Sequence, residues 1–218
     1  MPIIAIDPAL AGKIRLGVFQ AEGLTATGTS SELERDLAAL CESVRSTFPE
    51  PAQAVELFGP ARQLYRAIGL DPTQTRPSSE ALMRRVILGK GLYRINRVVD
   101  TCNLCSIDFA LSIGLYDSDA VQWPAELRQG RPGEGYQGLG KDHVNVAGRW
   151  TLADREGPFG NPSSDSFRTR IQDATTRCTF VIFAPTSYDV GRLQTELREA
   201  ETRMAMYAGG RTTLEEVL

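Results

Sequence analysis

Hydrophobic positions recur in two rhythms along this chain, and the change between them falls near Trp123. Two early runs rich in branched residues, "IIAI" at 3–6 and "RLGVFQA" at 15–21, are bounded by Pro and Gly and predict strands. From Ser30 to Phe48 the period becomes helical: Leu33, Leu37, Leu40, Cys41, Val44 and Phe48 share a face, and Ser31 with Glu34 predicts a capping box. A second helix is expected over 59–69, stopped by Gly69 and Asp71-Pro72. A third runs through "RPSSEALMRRVILGKG", with Ser78 or Ser79 as cap, Leu82, Val86 and Ile87 on one face, and Gly89 or Gly91 as stop. Between Ile95 and Ile113 the stripe Ile95, Val98, Val99, Cys102, Cys105, Phe109, Ile113 predicts a buried helix that carries Asn96, Asp100 and Asn103 with it. Beyond Trp123, glycine-rich turns separate "HVNVAG", "RWTLAD" and the continuous apolar run "CTFVIFA", which read as strands. A last helix starts at about Asp189, turns Leu193, Leu197, Met204 and Tyr207 inward, and stops at Gly209-Gly210.

The length suggests one large domain or two small ones; taken as a single domain over 1–218, the chain has a helix-rich part at about 1–120, a sheet-forming part at 121–188 and a C-terminal helix at 189–208. At 218 residues, 42% hydrophobic, the chain can bury a sizeable core. The start "MPIIAIDPAL" has neither a basic flank nor a cleavage site, and no window approaches eighteen apolar residues, so a cytoplasmic protein without membrane contact is expected. Four cysteines in that setting read as reduced thiols.

A net charge of -3 argues against a general nucleic-acid binder, DNA included. The distribution changes that picture. Residues 76–97 hold Arg76, Arg84, Arg85, Lys90, Arg94 and Arg97 against Glu80 alone, a local +5 that leaves -8 for the rest. Such a segment fits contact with a limited stretch of phosphates, or a solvated helix face.

Three chemical motifs lose to plainer readings. "GYQGLGKD" spaces Gly135, Gly140 and Lys141 like a phosphate loop, but Asp142 replaces the metal-binding hydroxyl and a strand-like run follows where a helix is required, so a glycine-rich hairpin is expected. Cys102 and Cys105 form a lone C-x-x-C inside an apolar helix and read as packing residues; no metal or cofactor is implied. The single histidine, His143, has no nucleophile motif beside it. Glu134, Asp154 and Asp165 all fall at turn or strand ends, and spacing alone does not bring them together. The loop "DREGPFGNPSSDSFRTRIQDATTR" gathers Ser163, Ser164, Ser166 and Thr169 around Asp165 and Arg168; it is either a solvated loop or a surface that offers N–H groups and hydroxyls to an oxygen-rich ligand.

Taken in order, "RPSSEALMRR", "INRVVDTCNLCS", "LYDSDAV", "GRPGEGY", "TLAD" and "SSDSFRTRIQDATT" follow the spacing of a known module. From about Arg76 to Ala184 the chain resembles the tRNA-editing module of the phenylalanyl-tRNA synthetase beta subunit, its third and fourth domains together. The resemblance implies an α+β fold with mixed and antiparallel sheets, helices packed on one side and two intertwined subdomains. It implies a free-standing, trans-acting aminoacyl-tRNA deacylase that hydrolyses the ester of a mischarged or non-standard aminoacyl-tRNA. Asp165 and Ser166 would serve catalysis; Asn96, Asn103, Tyr116, Glu134, Ser164, Arg168 and Thr169 would line the substrate pocket; Arg76, Arg84, Arg85 and Arg94 would contact phosphates of the acceptor end. The partner is a tRNA acceptor end carrying an amino acid, with a synthetase as a second candidate. The alternatives are a non-catalytic tRNA- or synthetase-binding module, or an enzyme that reuses the pocket for a small aminoacyl or amine metabolite. Two departures stand out: a histidine of the synthetase module is replaced by Gly114 ahead of Tyr116-Asp117, and its glycine-rich apolar turn by "GPFGNPSSDS".

Overall fold

The computed structural model describes residues 3–28 and 30–218, apart from the side chain of Lys141. In chain order the elements are β1 (Ile4–Ile6), β2 (Ile14–Glu22), α1 (Ser31–Thr47), α2 (Gly59–Ala67), α3 (Ser78–Ile87), α4 (Arg97–Phe109), β3 (Ser112–Asp117) and β4 (Ala125–Gln129). There follow β5 (Gly135–Gly138), β6 (Lys141–Asn145), β7 (Trp150–Asp154), β8 (Gly157–Asn161), β9 (Ser164–Asp165), β10 (Arg177–Pro185), α5 (Val190–Ala208) and β11 (Arg211–Val217). The fold is α+β.

The continuous apolar run of β10 is buried on both faces, which places it inside a four-stranded sheet of order β11-β2-β10-β3. Its residues alternate between two cores. Phe180 and Ile182 face α1, α4 and α5, where Phe19 stacks on Phe180 with ring centroids 4.8 Å apart. Val181 and Phe183 face a second sheet of order β1-β4-β7-β8-β9, meeting Leu127, Leu152 and Phe159. Helices α1, α4 and α5 thus cover one face of the β10 sheet, while α2 sends Leu64 and Ile68 into the core between the sheets. Because the β10 sheet takes strands from residues 14 to 217, the two layers are interleaved rather than successive along the chain. The "GYQGLGKD" segment is a hairpin: β5 pairs antiparallel with β6 across the Leu139-Gly140 turn, with Gly140 at φ +67°.

Local chemistry moved several boundaries. The stripe from Ile95 to Ile113 is a shorter helix, because Asn96 Oδ1 accepts from Val99 N (3.0 Å) and caps it, while Ala110 adopts a left-handed conformation (φ 55°) and ends it. Ile95 is left exposed, and Ile113 belongs to β3. Ser30, not Ser31, caps α1, its Oγ accepting from Leu33 N at 3.3 Å. Neither Ser78 nor Ser79 caps α3: both lie inside it, and Pro77 takes the capping position. Gly209 ends α5 as expected, but the chain then returns as β11 along β2.

Candidate functional site

Helices α3 and α4, strand β3 and the loop 163–171 enclose a cavity of about 860 Å³. Its walls are apolar, formed by Leu82, Val99, Cys102, Ile113, Leu115 and Ile171. Ser78, Asn103, Ser106, Ser163 and Asp165 bring polar groups to the lining, and Arg76, Arg84, Arg85, Lys90 and Arg170 stand in it as cations. The mouth carries large apolar groups in the open: Leu88, Tyr93, Ile95 and Leu139 are each between 48% and 61% exposed. Arg85 lies over the Tyr93 ring (3.9 Å to the centroid), and Arg170 over Phe167 (3.5 Å), so both sides of the loop-and-helix rim present a cation stacked on an aromatic.

Asp165 is the acidic residue in the lining of this cavity. Its backbone is fixed by pairing of β9 with Gly160 on β8 and by Leu139 N donating to Asp165 O (3.2 Å). Its carboxyl is buried, Oδ1 has no hydrogen-bond partner among the described residues, and no cation is paired with it there. Burial pushes its pKa up to about 7, held back in part by the Tyr116 phenol and the Leu115 backbone N–H that face it. Asp165 Oδ1 and the buried Tyr116 hydroxyl each lack a hydrogen-bond partner of normal geometry among the described residues. The Tyr116 ring is wedged between two glycines and packs edge-on against Phe159 (5.0 Å, 86°). A Cβ at Gly114 would lie 2.8 Å from Tyr116 Cζ, and one at Gly160 2.7 Å from it. Gly114 is therefore glycine because the phenol fills the space that a side chain at that position would need. Under the floor, Tyr65 donates to Pro162 O (2.7 Å) and Ser163 Oγ to Tyr65 Oη (3.0 Å), which anchors the loop to α2.

The family model described as the B3/4 domain matches residues 60–207, more than half of the chain. The chain belongs to the B3/4 domain family. It is similar in structure to an N-terminal fragment of the phenylalanyl-tRNA synthetase beta-subunit from Pyrococcus horikoshii, with a TM-score of 0.51 and 15% identity, over 98% of this chain and 53% of that one. At that identity the likeness speaks for the fold, and the chain spans about half the length of the fragment. No curated protein matches.

Within this B3/4 domain, Asp165, Asn103, Arg76, Arg84 and Arg85 meet at the one cavity. The other candidate residues are held elsewhere. Ser166 and Thr169 share a hydrogen bond between hydroxyls (2.9 Å), and Thr169 N donates to Ser166 Oγ (3.2 Å), so they lock the turn below the cavity rather than face it. Arg168 grips Asp154 with both guanidinium ends (2.9 and 3.0 Å) and donates to Ala120 O (2.8 Å). Ser164 offers its carbonyl to Tyr136 Oη (2.6 Å) and lines an adjacent groove. Asn96 is spent on the α4 cap, and Tyr116 lies beneath the floor. Glu134 sits in a separate cleft, bound by Arg128 at 2.8 and 2.9 Å; that guanidinium is the main cause of a carboxyl pKa lowered to about 2. Arg94 is tied to Glu34 and to the buried Asp100 (2.9 Å), whose other oxygen accepts from Ile95 N (3.0 Å). Asp100 is thus a paired buried charge, as such a group must be.

Tyr93 and Arg170 join the cavity unmarked by the sequence pattern, where an exposed tyrosine next to arginines was the available signal; Ser163 of the hydroxyl-rich loop and Lys90 of the basic segment line it too. Desolvation pushes Cys105 and Cys178 up to about 12, so those thiols pack as neutral groups, and Cys102 is shifted the same way. Among the described residues no three His, Cys, Asp or Glu side chains are grouped to hold a metal, and no helix is long and apolar enough to cross a membrane.

Proposed function

We propose that this B3/4 domain is a trans-acting aminoacyl-tRNA deacylase. The observation that carries the reading is the Asp165 carboxyl, with a buried Oδ1 that has no hydrogen-bond partner among the described residues and no paired cation, inside an apolar cavity whose lining also presents guanidinium groups and an exposed aromatic ring. An aminoacylated RNA end needs these three surfaces: an apolar chamber for the amino acid, cations for phosphate and a ring for a base. The aliphatic lining of Leu82, Val99, Ile113, Leu115 and Ile171 suits an apolar amino-acid side chain.

Chemistry then asks little of the protein, because the ester is already activated. Asp165, with a pKa near neutrality, takes a proton from water as the water oxygen attacks the ester carbonyl. The tetrahedral oxyanion needs a donor. Ser163 N already donates to Asn161 Oδ1 (2.8 Å) and Ser166 N to Phe159 O (2.8 Å), which removes two N–H groups of the loop from that role. The Asn103 amide, half-buried on the α4 wall, takes the role instead. Collapse breaks the bond from the acyl carbon to the ribose oxygen, and the proton held by Asp165 passes to that oxygen, leaving free amino acid and tRNA.

A panel of tRNAs, each charged with one amino acid and mixed with protein in molar excess, tests this. The expected result is accelerated ester hydrolysis for a subset with apolar side chains. Uncatalysed decay across the whole panel would leave a module that binds tRNA without acting on it.

A further inference from the structure

The cavity does not end at its own mouth. Arg76 and Ser163 line it and also line a groove of about 330 Å³ that continues past Asn161 and Ser164. That groove shares Leu70, Gln74, Thr75, Arg149 and Trp150 with a further depression of about 630 Å³, whose remaining lining includes Lys13, Arg66 and Gln129. The three depressions therefore adjoin in series, each sharing lining residues with the next, as a candidate channel. Lys13 comes from the turn before β2, Arg66 from the last turn of α2 and Arg149 from the turn before β7. All three are exposed, and among the described residues none is paired with a carboxylate. The acidic side chain in this part of the channel is Asp71, whose Oδ1 is already occupied by Thr73 N (2.8 Å) and Thr73 Oγ1 (2.7 Å).

We infer that this channel, with Lys13, Arg66 and Arg149 as its phosphate contacts, carries the RNA strand whose charged end enters the cavity. The inference rests on the deacylase reading for the direction of the strand, but its test does not. Exposed cations lining a mostly polar groove suit a phosphodiester backbone, and the half-buried Trp150 belongs to the lining of both depressions. The net charge of -3 gives RNA no general attraction to the surface, so binding depends on local cations such as these.

The experiment measures binding of an uncharged RNA minihelix with a single-stranded 3′ end, over a range of salt, by wild type and by Arg66→Ala/Arg149→Ala. Losing two phosphate contacts should weaken affinity about tenfold and flatten the slope of log affinity against log salt by about 1.4 to 1.8. Arg131→Ala/Arg155→Ala, which removes two arginines from the separate Glu134 cleft, should leave both unchanged. Equal behaviour of the two double variants overturns the inference, as does competition by polyglutamate as effective as that by RNA. Weakened binding in a protein that hydrolyses no ester would keep the channel and discard the deacylase; hydrolysis with unaltered binding by Arg66→Ala/Arg149→Ala would do the reverse.

Discussion

Replacing Asp165 by Asn should make the protein more stable and less active at the same time. The buried carboxyl has a folded-state pKa of about 7, against an ordinary value of 3.8 that the unfolded chain regains, and desolvation is the main cause. Between roughly pH 4 and pH 7 the folded state binds more protons than the unfolded one, so stability falls as pH rises through that window and levels off above it. The gap corresponds to ~4 kcal/mol, an upper limit because the cavity opens to solvent and water that reaches the carboxylate softens the penalty. Asn keeps the shape without the charge. Thermal unfolding of the two proteins should coincide near pH 4 and diverge toward pH 8, where the variant melts ~8–16 °C higher if the full gap is realised. Single-turnover ester hydrolysis by the variant should fall ~100- to 10,000-fold, the range for loss of a general base. Melting curves that stay parallel from pH 4 to pH 8, or a variant less stable at every pH, would show that Asp165 is not a strained buried carboxylate.

Three further substitutions probe the frame around the site. Gly114→Ala forces the Tyr116 ring to move and should cost ~1–3 kcal/mol in denaturant unfolding; an unaffected midpoint would mean the ring has room. Arg62 pairs with the buried Glu80 through two bonds of 2.7 and 2.8 Å, so Arg62→Ala leaves a buried charge with weaker support and should destabilise by ~3–5 kcal/mol, less whatever Arg76 (3.3 Å from Glu80) compensates. Tyr93→Ala removes an exposed ring and should weaken minihelix binding by ~1–3 kcal/mol in a filter or fluorescence titration without lowering the melting temperature; unchanged affinity would exclude base stacking at the mouth.

Side-chain periodicity made the major helices and the central strand legible, since both bury faces that the residue pattern defines. It fails where two periods coincide: Ile113 follows Phe109 at the helical interval of four, so the apolar stripe of α4 runs on into what is β3, and the break at Ala110 lacks the glycine that usually marks a left-handed residue. Strand β11 escaped notice because its sequence, RTTLEEV, is mostly exposed; the strand exists through backbone pairing with β2. At the site, composition drew attention to the loop around Asp165, but it could not tell a hydroxyl that faces ligand from one that, like Ser166, bonds its neighbour. The basic helix segment was visible as a charge run, yet Arg94 proved to be the counter-ion of Asp100. Lys13, Arg66 and Arg149 lie too far apart in sequence to form any local pattern, and only the folded chain brings them to one channel.

The most direct trial of the central claim is to follow binding and single-turnover hydrolysis of the same aminoacyl-tRNA by wild type and by Asp165→Asn, with protein in excess. The account predicts comparable binding by both proteins and ester hydrolysis by wild type alone. Hydrolysis at the same rate by the two proteins, or by neither for any amino acid tested, would contradict it.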